Sequence, residues 1–403
     1  MTGGQRRQVE RADVVVVGGG PAGAATAILL AHAGRSVVVL ERRPAWRWRA
    51  CGVFASPAAV DALARLGVGA SALDRVVRRV PAMRVETRSG SAFRLTYGDD
   101  GSRRAAAVGF DRSALDPLLL DRAAAAGADV RLGSPARVVG GGTVAIHGSQ
   151  IDAAVIVGAD GLRSTVARSF GVERRAPLGD RTALSFHVVD RSPDVSRDAR
   201  MVVFDGGYVG LAPVPGGRVN VGIVLAGRAW RSRLQHEGAD VVARTVLAGV
   251  PAAEDDPVDW LRPELSDRIE GVSPVGSAVR RAAGDGWVLV GDAAGFLDPF
   301  TGEGLHRALR SAELAATAID RHLAGQPGAL PAYAERLARR TRGKDLVSRV
   351  VQGFLGVPPA FDYAARRLAD RAAVRETMGL VMGDLAPASA ALDPRFLVAL
   401  LRP

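Results

Sequence analysis

The sequence predicts an α/β chain: a Rossmann-type dinucleotide-binding domain, an inserted antiparallel-sheet domain and a helical C-terminal tail. Three observations carry this. A β-branched run meets a G-x-G-x-x-G turn in DVVVVGGGPAGAATA (13–27), and two more strand-to-glycine breaks follow far along the chain, VGADGLRSTVAR (157–168) and VLVGDAAGFLDPFTGEGLHRAL (288–309). Between them lie alternating, turn-punctuated segments of strand type, and after Gln326-Pro327-Gly328 the pattern becomes amphipathic and helical.

The first stretch reads as strand, tight turn and helix. Val14 to Val17 suit a central parallel strand, and Gly18, Gly20 and Gly23 hold the fingerprint spacing. Gly18 allows the turn, Gly20 lets backbone approach a pyrophosphate, and Gly23 permits close helix packing. Pro21 and Ala22 open a helix whose free N–H groups and dipole favour an anion. A second strand, Ser36 to Leu40, ends in Glu41, the acid expected for adenosine ribose hydroxyls, followed by Arg42.

The second stretch breaks at Asp160-Gly161, predicting a carboxylate and bare backbone near the pyrophosphate, with Ser164 and Arg168 on the next helix. In the third, the strand Trp287 to Val290 closes on Gly291-Asp292, where a carboxylate suits ribityl hydroxyls. Pro299, Gly302 and Gly304 then lead into a helix from Leu305 to Ile319. That helix start faces the pyrimidine side of a flavin, stabilising its anionic reduced form. A nicotinamide-only protein needs just the first stretch; the three together predict bound FAD.

These motifs resemble the p-hydroxybenzoate hydroxylase superfamily of FAD enzymes, and most closely its geranylgeranyl reductase-like branch and related actinobacterial natural-product monooxygenases. CGVFASP (51–57) and PVPGGRVNVGI (213–223) also match, over roughly residues 12 to 325. The resemblance implies a Rossmann-type FAD-binding domain (1–77, 105–178 and 272–325), a substrate domain (78–104 and 179–271) and a helical region (326–403). It implies that Arg112, in FDRSALD, lies beside the cofactor. It also implies NADH or NADPH as a transient donor, since no second glycine fingerprint exists, with either hydroxylation by dioxygen or hydride transfer to a double bond to follow.

On this reading the chain is an FAD-dependent oxidoreductase acting on a hydrophobic small molecule, such as an aromatic polyketide or an isoprenoid. NAD(P)H-dependent hydroxylation is the leading expectation and reduction of prenyl double bonds its close alternative. A non-catalytic prenyl-binding escort on the same fold is the alternative of another class. His187, in the strand ALSFHVV, is either a base for a phenol or a satisfied structural histidine. Tyr208 either reaches the pocket or caps a strand, and Cys51 either contacts the ring or substrate or is an inert buried thiol. Glu303 and His306 follow the flavin helix start, and Trp46, Arg47 and Trp48 either brace the adenine or pack on the surface.

Composition narrows the field further. One cysteine among 403 residues forbids an intrachain disulfide framework and suits a reducing cytoplasm. The N-terminal arm is polar, and no apolar run reaches the roughly eighteen residues of a spanning helix, so membrane contact is at most peripheral. Net charge is +11, but the arginines are scattered without interleaved aromatics, arguing against nucleic acid. No His/Cys/Asp set has metal-ligand spacing. The sole lysine, Lys344, comes too late in the chain to match a halogenase lysine. The tail segments Tyr333 to Arg342, Asp345 to Leu355 and Ala360 to Ala373 are expected to cover the FAD domain or a dimer partner rather than to form a lid or a membrane-surface helix. The chain is expected to be a monomer or a homodimer.

Overall fold

The computed structural model describes residues 9–46, 53–98, 106–178, 180–251, 256 and 258–402. A mostly parallel sheet carries, side by side, Trp287–Leu289, Ser149–Gly158, Glu10–Val17, Val37–Leu40 and Asp129–Arg131. Val14, Val15 and Val16 are wholly buried, as a central strand covered on both faces requires. Register aligns the strand ends. Val17 pairs with both Leu40 and Gly158, and Gly158 pairs with Leu289, so four strands end level with one another. The fingerprint turn, Glu41, Ala159–Gly161 and Gly291–Asp292 therefore emerge along one carboxyl edge, where open α/β sheets place their ligands. Helix Pro21–His32 packs between helices Arg112–Ala125 and Gly304–Leu323 over this sheet.

A second, seven-stranded sheet runs in the order Glu270–Val272, Thr182–Val189, Arg218–Leu225, Gly207–Val214, Ala199–Phe204, Ala82–Thr87, Ala92–Thr96. It is mixed rather than purely antiparallel as expected: Ala199–Phe204 lies parallel to Ala82–Thr87. The pair joins two distant chain segments across the intervening parallel-sheet body, so no hairpin dictates its direction. Leu184, Phe186 and Val188 turn one face toward helix Arg228–Leu247, which bends at Gly238 (φ +83°). A three-stranded sheet of Phe54–Ala55, Ala107–Phe110 and Val77–Val80 bridges the two bodies. At Gly109 a Cβ would stand 1.9 Å from the Pro213 carbonyl oxygen, which is how closely the bridge approaches the second sheet.

The opposite face of that sheet is covered by the tail. Phe361, Leu368, Val374, Phe396 and Leu400 pack with Val85, Phe93, Leu95 and Met201. The expected tail role needs correcting here, because only its beginning rests on the parallel-sheet body. There Tyr333 is buried and its hydroxyl donates to the Leu289 carbonyl (2.6 Å). A second correction is that the two expected segments form one helix, Ala329–Leu355. Gly343, the apparent break, sits inside it, and a Cβ there would lie 3.0 Å from the Cβ of Ala388. No helix among the described residues is long and apolar enough to cross a membrane.

Candidate functional site

The fingerprint glycines divide into two kinds. A Cβ on Gly18 (φ +107°) would sit 2.5 Å from the Ala159 carbonyl oxygen, and one on Gly23 would sit 2.0 Å from the Gly18 carbonyl oxygen. Those two lock the first motif against the second. Gly20 is different: the nearest atom to a Cβ there is Nη2 of Arg112, 3.9 Å away, so the space above this helix start is open. Pro21 and Ala22 begin the helix, and Gly20 provides no side-chain cap, which leaves first-turn N–H groups available to an anion.

Around that opening the side chains are fixed. Glu41 is 3% exposed, and its carboxylate accepts from the Gly19 N–H (2.9 Å) and the Arg43 N–H (3.1 Å). Arg42 beside it is exposed. Arg112 is held by a two-point bond to the buried Asp116, 2.6 Å on each arm. Asp160 departs from expectation. Its carboxylate caps the helix Thr165–Ser169, accepting from Ser164 Oγ (2.5 Å), Thr165 N–H (2.6 Å) and Thr165 Oγ1 (2.7 Å). The backbone of Ala159 to Gly161 lines the edge, but this carboxylate is committed to the cap. Gly161 (φ +81°) has nothing within 4 Å of where a Cβ would stand.

The third motif supplies the carboxylate that Asp160 does not. Gly291 (φ +58°) donates its N–H to Ser311 Oγ (2.8 Å) and lies against Ala22. Next to it, Asp292 is half-buried and its carboxylate accepts no hydrogen bond from any described residue. Burial pushes its carboxyl above the usual aspartate range, opposed by the charges of Arg112 and Arg307. A desolvated acceptor of this kind suits hydroxyl donors of a ligand. Pro299–Thr301 forms a short turn, Gly302 (φ +68°) lies close to Phe54, and Gly304–Leu323 starts with Leu305 buried. Open backbone at Gly20, an unpaired carboxylate at Asp292 and a helix start beyond it fit a dinucleotide laid along the strand edge and carrying a polyol.

Residues that sequence reasoning did not single out complete the site. Asp298, of the DPFTGEG motif, accepts from Tyr208 Oη (2.6 Å), Gln352 Nε2 (2.8 Å) and the Phe300 N–H (3.0 Å), and pairs with Arg181 (2.6 Å). The second sheet, the FAD body and the tail thus meet at one buried carboxylate. Burial, then Asp298, drives the Tyr208 hydroxyl well above the ordinary phenol range, so it serves as a donor. His187 is fully buried, with Nδ1 2.6 Å from Asp267 and its backbone N–H donating to the same carboxylate (2.8 Å). Cross-strand register aligns Ser185, Gly222, Gly210 and Met201 in one row and His187, Asn220 and Ala212 in the next. The face grades from polar to apolar. Cys51, Arg47 and Trp48 lie outside the described residues; Trp46 packs against the FAD-domain core.

Two surface hollows, of about 370 and 660 Å3, are lined by residues such as Arg94 and Arg375, and Arg84, Arg200 and Trp260. Neither includes a residue of the three motifs, and Arg200 is paired with Glu86 and Asp256. Among the described residues, no cluster of three or more histidine, cysteine or acidic side chains suits a metal.

A glycine turn, a buried acid at the end of the neighbouring strand and a free carboxylate ranged along one sheet edge fit a flavoprotein. The chain belongs to the FAD binding domain family, whose model matches residues 11–350, and is an FAD-dependent oxidoreductase. It is 32% identical over 330 residues to a menaquinone reductase of Mycolicibacterium smegmatis, covering 76% of each chain. It is 31% identical over 332 residues to digeranylgeranylglycerophospholipid reductase 2 of Methanopyrus kandleri, covering 76% of this chain and 78% of that one. A flavoprotein/dehydrogenase from Cytophaga hutchinsonii shares the fold, with a TM-score of 0.78 at 20% identity over 93% of both chains.

Proposed function

We propose that the protein is an FAD-dependent reductase of carbon–carbon double bonds in a prenylated lipid or quinone. The similarity to reductases of menaquinone and of a digeranylgeranyl lipid carries this reading, because both names denote molecules with polyprenyl chains. It reverses the order of the two activities expected from sequence, placing double-bond reduction ahead of hydroxylation. The sheet face supports it too: beside the polar row of His187 and Asn220 it carries Gly210 and Gly222, which leave space next to the apolar side chain of Met201.

FAD held here would supply hydride-transfer chemistry, with NADH or NADPH as the proposed donor. The chain's own residues do the rest. Gly18, Gly20 and Gly23 shape the turn, and the helix beginning at Pro21 and Ala22 receives the pyrophosphate. Glu41 orients toward the ribose, Arg112 adds positive charge over Gly20, and Asp292 accepts the ribityl hydroxyls. The start of helix Gly304–Leu323 faces the ring, and backbone at Pro299 and Gly302 shapes the approach to it. Tyr208 holds the ring-side loop through Asp298.

Hydroxylation stays as a second reading on one observation: His187 is oriented by Asp267 on the polar end of the same face, as a base for a phenol would be. The test is anaerobic turnover of the reduced protein with a polyprenyl quinone and a polyprenyl glycerol lipid. A product whose prenyl chain, after reoxidation of any quinol to the quinone, is heavier by two hydrogens supports the reductase. Product formed only with labelled dioxygen, and carrying its oxygen, overturns it in favour of hydroxylation.

A further inference from the structure

Of the 53 lysine and arginine side chains, one is lysine, and its ammonium is buried. Lys344 comes from the tail helix Ala329–Leu355; its side chain is 13% exposed and its ammonium lies 3.1 Å from Glu303 Oε1 and 2.9 Å from Asp384 Oδ1. Glu303 is the residue immediately before the Gly304–Leu323 helix, and its side chain is 5% exposed. Asp384, in the left-handed region at φ +60°, also accepts from Ser56 Oγ (2.8 Å) and pairs with His306 Nδ1 (2.9 Å). Arg307, one turn into the Gly304–Leu323 helix, pairs with Asp345 and its charge also acts on Glu303 and Asp292.

A chain that meets every other need for a cation with arginine keeps an ammonium here. The geometry gives the reason: a compact, tetrahedral donor reaches carboxylates from two different segments, whereas a guanidinium is a planar fork. Glu303 stands where the positive end of a helix dipole should be, and an uncompensated carboxylate there would cancel it.

We propose that Lys344 is a positioning residue for the flavin: it holds Glu303 at the helix start and offsets its charge, while Asp384 is shared with His306, so that the positive end of the helix dipole toward the ring is not cancelled. This rests on FAD being held at that helix start, as proposed above. Reduction adds negative charge to the ring, so the pair sets the balance between oxidised and reduced cofactor.

The test is the midpoint potential of FAD bound to the full-length protein, measured for three variants. Lys344→Met should favour oxidised over reduced FAD by about tenfold, a fall of about 30 mV for two electrons. Glu303→Gln should raise the potential by a similar amount, because the ammonium is then less compensated. The double variant should return near the parent value. A merely structural role moves both single variants together or not at all, and either result overturns the proposal. If Lys344→Met does not fold, Glu303→Gln decides alone: a rise supports the assignment, while no change or a fall overturns it. A parent protein that binds no FAD would sink the cofactor reading itself, which is a different result from FAD bound with unmoved potentials.

Discussion

The two sheets use glycine in opposite ways. In the parallel sheet, a Cβ on Gly18 or Gly23 would run into backbone, at 2.5 and 2.0 Å. On the second sheet, a Cβ on Gly210 would meet only the Met201 side chain at 3.4 Å, and one on Gly222 nothing nearer than 4.0 Å. The first use is a backbone fit that a single residue type satisfies. The second is space, which another small side chain can partly fill. On the proposed function, a fixed cofactor is therefore written into residue identity, while a substrate is written into volume.

Gly23→Ala offers the hardest blow to that contrast. With the Gly18 carbonyl in its way, the helix must lift off the strand, at a cost of about 3 kcal/mol or more. We expect no folded, FAD-binding protein, judged by its melting transition and visible absorption. Gly20→Ala sharpens the comparison: the melt of the FAD-free protein should be unchanged while FAD binds more weakly. Equal destabilisation by both variants would erase the distinction between packing and ligand-facing glycines.

Asp292→Ala comes next. Two lost charge-assisted bonds to ribityl hydroxyls, at about 1.5 kcal/mol each, predict an FAD dissociation constant raised by about a hundredfold. The FAD-free protein should move the other way. A carboxyl whose folded pKa is raised costs stability once it is ionised, so removing it raises the melting temperature at neutral pH. Full flavin retention by this variant would contradict the assignment of the carboxylate.

Legibility in the sequence divides along the same line. Gly18, Gly20, Gly23 and Glu41 were legible because strand, turn and acid fall within 29 residues. Asp160 also has a local role that went unread: Ser164 and Thr165, four and five positions on, donate to its carboxylate at a helix start. Tyr208 and Asp298 meet across 90 positions, and Arg181 and Gln352 join them from further apart still. No periodicity encodes such a meeting. Gly343 resembled a helix break because its reason, Ala388, lies in a distant turn, just before helix Ser389–Leu392. Lys344 did carry a signal, as the single lysine, but its partners became visible only in three dimensions.

Asp384 gives a test with a pH axis. Burial works against its charged form, yet the His306 hydrogen bond and the Lys344 charge outweigh that and bring its carboxyl down to about 2. A depressed folded pKa stabilises the protein above the ordinary aspartate range, and that stability is lost as pH falls from about 4 toward 2. The shift corresponds to about 2 kcal/mol. Asn tolerates the left-handed conformation, so Asp384→Asn isolates the charge. It should destabilise by about that amount at neutral pH, with the gap closing in the acid range. A gap that persists below pH 2 would place the effect in packing.

Tyr208→Phe should have the smallest effect and tests whether the two bodies stand independently. Asp298 keeps three other donors, Arg181, Gln352 and the Phe300 N–H, when the phenol oxygen is removed. The edge-on contact with the Phe300 ring, at 5.0 Å and 89°, survives in phenylalanine. One hydrogen bond to a charged acceptor that remains satisfied contributes about 1 kcal/mol, a shift of a few degrees in melting temperature. A loss several times larger would mean that the second sheet holds the ring-side loop in place through this hydroxyl alone, and that cofactor and substrate halves fold as a single cooperative unit.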